Sequence, residues 1–127
     1  MLIYGVKTYK YGLYPIITER ILEFQDKYPD IPISIPDNQS PIDVLTCILQ
    51  SEAAMLAMYD EPDKIHRLMN IITDSIIEVN RFYEKIINNF AGFQCPIGMH
   101  ISDDNAAFLS PSIYQEFAVP YINKLSE

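Results

Sequence analysis

Basic residues are scarce in this chain: nine Lys and Arg stand against 17 Asp and Glu, a formal net charge of −8. A surface of that sign repels phosphate backbones and anionic lipid headgroups, so nucleic acid and membrane surfaces are excluded as natural partners. The charges are spread along the chain, which suits solubility rather than a focused binding patch. Cysteine is scarce too. Cys47 and Cys95 form neither a CxxC nor any paired metal-ligand spacing, so a disulfide framework is not expected and a reducing compartment fits. Both are expected to be buried thiols. No stretch approaches the ~20 apolar residues of a membrane span, and MLIYGVKTYKYGLYP at the N-terminus has no apolar run of secretory length. These absences point to a cytoplasmic protein.

Tryptophan is absent, but nine Tyr and six Phe give bulk for a core. Hydrophobic residues make up 49% of the chain and charged residues 20%, an ordinary globular balance. A length of 127 residues allows a single domain, 1–127, and little more.

The first fifteen residues are Tyr-rich and have no clear periodicity. From Ile16 to about Tyr28 the pattern is helical, with Ile17, Ile21 and Phe24 at helical spacing and Pro29 as the stop. IPISI (Ile31 to Ile35) alternates and predicts a short strand, although Pro32 lacks an N–H donor. The loop PDNQ follows. Ser40-Pro41 then predicts a helix start: Ser40 caps, Pro41 needs no donor at the first position, and Asp43 adds charge and resembles a capping box. Val44, Leu45, Ile48 and Leu49 are the expected buried face. A second short helix is expected from about Ser51 to Tyr59.

From Asp60-Glu61-Pro62 to about Asn88, one apolar stripe runs through Ile65, Leu68, Met69, Ile72, Ile76, Val79, Tyr83 and Ile86. At ~1.5 Å per residue such a helix is roughly 40 Å long, so a bend or break is expected, with Gly92 as the stop. His66 falls beside the polar face and is expected at the surface. Met55, Met58 and Met69 are expected in the core. PIGMHIS (Pro96 to Ser102) predicts the second strand, with His100 and Ser102 on one parity. After the loop DDNAAF, Ser110-Pro111 opens the last helix, and Pro120 predicts a kink.

One device therefore occurs twice: a strand, a loop rich in Asp and Asn, and a Ser-Pro helix start. It predicts an α/β fold, helix-rich, with two legible parallel strands. Loops at the C-terminal ends of parallel strands carry the chemistry of such folds. Asp37, Asn38 and Gln39 lie in one loop; Asp103, Asp104 and Asn105 lie in the other. Carboxylates gathered at one mouth act as general acid or base, or bind a cationic or N–H-bearing small molecule. Asp103 and Asp104 are the catalytic candidates. Asp37, Asn38, Gln39, Asn105 and His100 are the substrate-binding candidates. Against this, Asp and Asn also make ordinary turns and caps. A lone strand histidine is more often a hydrogen-bonded core residue than a site residue. No metal triad is legible, because Cys95 and His100 are only two candidates.

DNQSPIDVLTCILQSEAAMLAMYDEPDKIHRLMNIITDSIIEV resembles the middle of the uroporphyrinogen decarboxylase family, whose superfamily also holds cobalamin-dependent methyltransferases. ISDDNAAFLSPSIYQEFAVPYINKL continues the likeness, most specifically in LSPSIYQEFAVPY. The resemblance runs from about Ile16 to the C-terminus. It implies a portion of a (β/α) TIM-type barrel, a fold of ~250 residues. Within that family the decarboxylases place a tyrosine where Cys47 stands and a serine where Asp104 stands. Their catalytic aspartate lies on an earlier strand with no counterpart here. An aspartate at 104 repels a polyanionic porphyrinogen, so the resemblance implies a divergent decarboxylase- or methyltransferase-type enzyme portion. It implies no cofactor within this chain, with zinc or cobalamin only in a complete family member. Alternatives are a non-catalytic truncated part-barrel that pairs with itself or with a missing remainder, and a small-ligand binding module.

Overall fold

The structure is a computed structural model, and it describes residues 7–89 and 101–126. The chain divides into two compact units. One comprises Met1–Pro36 and Ile77–Met99; the other comprises Asp37–Ile76 and His100–Glu127. The described elements are helices α1 (Tyr14–Lys27), α2 (Pro41–Leu49), α3 (Ser51–Asp60), α4 (Pro62–Ile86), α5 (Pro111–Phe117) and α6 (Val119–Leu125), with two short strands, β1 (Asn38–Gln39) and β2 (Ile101–Ser102). The fold class is α/β and helix-rich. No single helix among the described residues is long and apolar enough to cross a membrane.

In the first unit, α1 begins with a proline in its first turn and ends at Lys27, one residue before the Tyr28 cap, as Pro29 dictates. Val79, Tyr83 and Ile87 form a buried cluster on the last turns of α4 and just beyond. Ile17 and Ile21 of α1 pack against it, as do Ile33 and Ile35. The described part of the Tyr-rich N-terminal stretch, from residue 7, is anchored here. It forms a 3-10 turn at Thr8–Lys10, Tyr9 stacks on Phe82 with centroids 4.0 Å apart, and Thr8 donates to Glu78 from both its backbone N–H and its hydroxyl.

The strand expected at Ile31 to Ile35 is reduced, among the described residues, to a single bridge position at Ile33. Ile33 donates one backbone bond to the Asn89 carbonyl at 3.2 Å. Pro32 and Pro36 supply no N–H, which limits the pairing open to this run. Its parity is kept in part: Ile33 and Ile35 face the core, whereas Ile31 is exposed. Gln25 is buried beside the end of α4, donating to the Ile86 carbonyl and accepting from the Asn88 N–H at 2.6 Å. The expected stop at Gly92 lies outside the described residues, as does Cys95.

In the second unit, Ser40 and Ser110 both cap as expected. Each side chain accepts the N–H three residues on, from Asp43 and Ile113 respectively. The buried face of α2 is rotated from the expected one. Ile42, Asp43, Leu45 and Thr46 are buried, while Ile48 is 56% exposed and Cys47 is exposed rather than an interior thiol. The cause is the sharp turn that follows. Gln50 takes φ 65°, and α3 leaves α2 at 104°, so the last turn of α2 loses cover. Ala54 and Met58 bury the inner side of α3.

Ile65, Met69, Ile72 and Ile76 continue the apolar stripe of α4, each contributing about 1.5–3 kcal/mol when fully buried. The helix is continuous from Pro62 to Ile86, so of the expected bend or break the break is absent. Pro120 sits in the first turn of α6, and it separates α5 from α6 at Ala118, the expected kink.

Candidate functional site

The strand pair joins the two stretches that the sequence marks as rich in Asp and Asn. β1 and β2 are parallel, with Asn38 opposite Ile101 and Gln39 opposite Ser102. The Ser40 N–H extends the pairing by donating to the Ser102 carbonyl at 2.7 Å. Asn38 and Gln39, expected in a loop, are thus strand residues. Both strands run in the same direction, so their C-terminal ends lie side by side and release Ser40-Pro41 and Asp103-Asp104 next to each other.

Two side chains bolt these ends together. Ser40 is fully buried; it accepts the Asp43 N–H at 3.1 Å and donates its hydroxyl to Asp103 Oδ1 at 2.6 Å. Asp43, 1% exposed, accepts from the Asp104 N–H at 2.9 Å, the Asn105 N–H at 2.8 Å and the Asn105 side-chain amide at 2.9 Å. The expected capping box is therefore only half present. Ser40 caps α2, but the Asp43 carboxylate does not reach back, because the Ser40 N–H is already committed to the strand pairing.

The adjacent residues Asp103 and Asp104 differ in exposure and in partners. Asp103 is half-buried and lies against Ser40 on one side, with the Tyr114 hydroxyl 3.5 Å from its other oxygen. Asp104 is exposed. Tyr114 has its hydroxyl pushed above the ordinary 10.0, first by desolvation and then by the neighbouring negative charge and hydrogen bond of Asp103. Across the strand pair, Ser102 Oγ lies 3.5 Å from Asp37 Oδ2. Gln39 is exposed beside Ser102. Along the strand pair the structure places Asp37 just before β1, Asn38 and Gln39 within it, and Asp103, Asp104 and Asn105 just after β2. His100 lies outside the described residues. Among the described residues, no three His, Cys, Asp or Glu side chains are grouped as a metal centre requires.

A model of the family described as Uroporphyrinogen decarboxylase (URO-D) matches residues 14–127. The chain belongs to the uroporphyrinogen decarboxylase family. Searches of the curated proteins and of the solved structures return no match to it. For this uroporphyrinogen decarboxylase family chain, the matched span contains both strands, both Ser-Pro helix starts and the acidic residues beside them.

Sequence reasoning missed two features. Asp43 was assigned to helix capping; its place between the buried Ile42 and Leu45 was the signal that its carboxylate enters the interior. His66 was expected at the surface, but its ring stacks on Phe117 with centroids 4.5 Å apart. Its Nδ1 lies 2.6 Å from the Tyr121 hydroxyl, which donates to the His66 carbonyl at 3.2 Å. Nε2 faces Glu116 Oε1 at 3.6 Å. This set ties α4 to α5 and α6. Burial raises the Tyr121 hydroxyl above its ordinary value.

Proposed function

We propose that this chain is the substrate-facing portion of a divergent uroporphyrinogen decarboxylase-like enzyme, of methyl-transfer or decarboxylation type, built as part of a β/α barrel. The observation that supports it is the parallel pairing of β1 with β2, which sets the acidic loop after β2 beside the C-terminal end of β1. That is the position from which β/α folds do their chemistry.

Asp104, exposed, is the carboxylate for substrate contact and proton transfer. Asp103, between Ser40 and Tyr114, holds the second charge. Asp37, Asn38, Gln39 and Asn105 line the mouth; His100, a further candidate from the sequence, lies outside the described residues. Two carboxylates there favour a cationic or N–H-bearing small molecule and disfavour a polycarboxylate. Zinc or cobalamin enters only with a complete family member, and the setting we propose is the cytoplasm.

The test is NMR titration of the chain with ethylammonium and tetramethylammonium, with uroporphyrin and hydroxocobalamin for comparison. Ammonium ions should perturb residues 38–39 and 103–105, and Asp104→Asn should abolish the effect. Saturable binding of uroporphyrin at those residues, with none of the ammonium ions, would overturn the charge argument. Perturbation by hydroxocobalamin would support the methyl-transfer branch.

A second reading is a part-barrel that self-associates. It is supported by large apolar side chains left in solvent, Ile48, Leu56 and Tyr59 on α2 and α3 and Leu13 and Ile16 at the start of α1. Light scattering should then show a dimer or larger species; a stable monomer sinks this reading.

A further inference from the structure

We infer that Asp43 is the positioning residue of the strand-end site, setting the backbone that carries the Asp104 and Asn105 side chains. The inference rests on the proposed small-molecule site, and it assigns a role to a residue that touches no ligand itself.

A buried carboxylate is costly to desolvate, and it persists only where hydrogen bonds replace the lost water. Asp43 has three such bonds. None is a service to its own helix, since Ser40 already caps α2. All three go instead to residues 61 and 62 positions further on. The residues held are the two whose side chains we place at the mouth. The Asp104 side chain is exposed, so the fixing acts on its backbone: the N–H of Asp104 is held while its carboxylate stands in solvent. Asn105 is held twice, at its backbone N–H and at its side-chain amide, which sets the orientation of that amide.

Asp43 also lies in the first turn of α2, where the helix N-terminus favours its charge. The anion is therefore anchored on a rigid element, and it transmits that rigidity to a loop that would otherwise be tethered only at its ends. Carboxylate chemistry tolerates little positional spread, because a misplacement of about 1 Å costs on the order of a hundredfold in rate.

The test is Asp43→Asn in the full chain, read by amide hydrogen exchange and by ethylammonium titration. Asn presents an N–H toward donors that need acceptors. Exchange at the Asp104 and Asn105 amides should rise about tenfold or more, while the Met69 and Ile72 amides in α4 stay unchanged and ethylammonium binding weakens about tenfold. Unchanged exchange at 104 and 105 would overturn the inference. A uniform loss of protection that includes Met69 and Ile72 would also overturn it, by showing a general structural role. If the wild-type chain binds no ammonium ion, the proposed function fails separately, and the local exchange readout alone decides the role of Asp43. If Asp43→Asn does not fold, Asp43→Glu decides, since it keeps the charge and moves the carboxylate by one methylene. Exchange at the Asp104 and Asn105 amides should rise while Met69 and Ile72 stay protected, and unchanged exchange at 104 and 105 overturns the inference.

Discussion

Ser40 gives its hydroxyl proton to Asp103 at 2.6 Å while the same oxygen accepts the Asp43 N–H at 3.1 Å. One buried side chain thus starts a helix and holds a carboxylate from the neighbouring strand end. Ser40→Ala removes both at once. An N-cap contributes about 1 kcal/mol and a hydrogen bond to a charged group about 1.5–3, so the variant should lose roughly 2–4 kcal/mol. Urea denaturation measures this, and Ser110→Ala is the internal comparison. Ser110 caps through a longer 3.4 Å bond, its other contact is Ser112, and it is exposed, so its loss should stay near 1 kcal/mol.

Tyr114 should ionise above the ordinary tyrosine value, because desolvation leads and the Asp103 charge adds. Absorbance titration of Asp103→Asn should show the tyrosine transition shifted down but not fully restored, since the desolvation remains. A transition unmoved by Asp103→Asn would show that the 3.5 Å contact is not populated. The stability consequence has a definite sign. The folded chain holds the phenol proton more tightly than the unfolded chain does. Stability is therefore complete below about pH 10 and falls as pH rises through the folded-state value. Burial raises Tyr14 and Tyr121 in the same direction, so alkaline unfolding should be cooperative with tyrosinate formation.

Gln50 occupies φ 65° and ψ 148° at the α2–α3 corner, a region that suits glycine. Gln50→Gly should stabilise the chain by about 1 kcal/mol, the relief of strain exceeding the added chain entropy. Gln50→Ala keeps a Cβ at the same angle and should give no such gain. Paired urea midpoints check the difference.

Tyr121→Phe keeps the buried ring and deletes the hydroxyl that His66 and its carbonyl share. The expected loss is about 1–2 kcal/mol by thermal denaturation. Lys124→Ala breaks a 2.7 Å ion pair to Asp74, but Asp74 is well exposed, so the loss should stay below about 1 kcal/mol. Equal losses in the two variants would mean that the His66–Tyr121 contact is no stronger than a surface ion pair.

The helices were legible in the sequence because their signals are local. Ser40-Pro41 and Ser110-Pro111 set two N-termini, Pro29 and Pro120 set a stop and a break, and the stripe from Ile65 to Tyr83 marked α4. The strand signal held at Ile101–Ser102 and gave only one bridge position, Ile33, in the first run. Alternation in IPISI reported which side chains face the core, whereas pairing needs N–H donors and a partner, and Asn38–Gln39 has both. For the site, the acidic loops were visible as composition, but their adjacency was not.

The sequence by itself determined where helices begin, because a cap and its N–H lie three residues apart and each turn is decided by its neighbours. It also carried the family, through motifs spread over the span matched by the family model. Only the tertiary structure decided that Asp43 turns from its own helix to Asp104 and Asn105, that Ser40 meets Asp103, and that His66 stacks on Phe117. The physical reason is the same in each case. A side chain bonds the strongest unsatisfied group within reach, and here that group lies more than fifty residues away along the chain, where no local pattern records it.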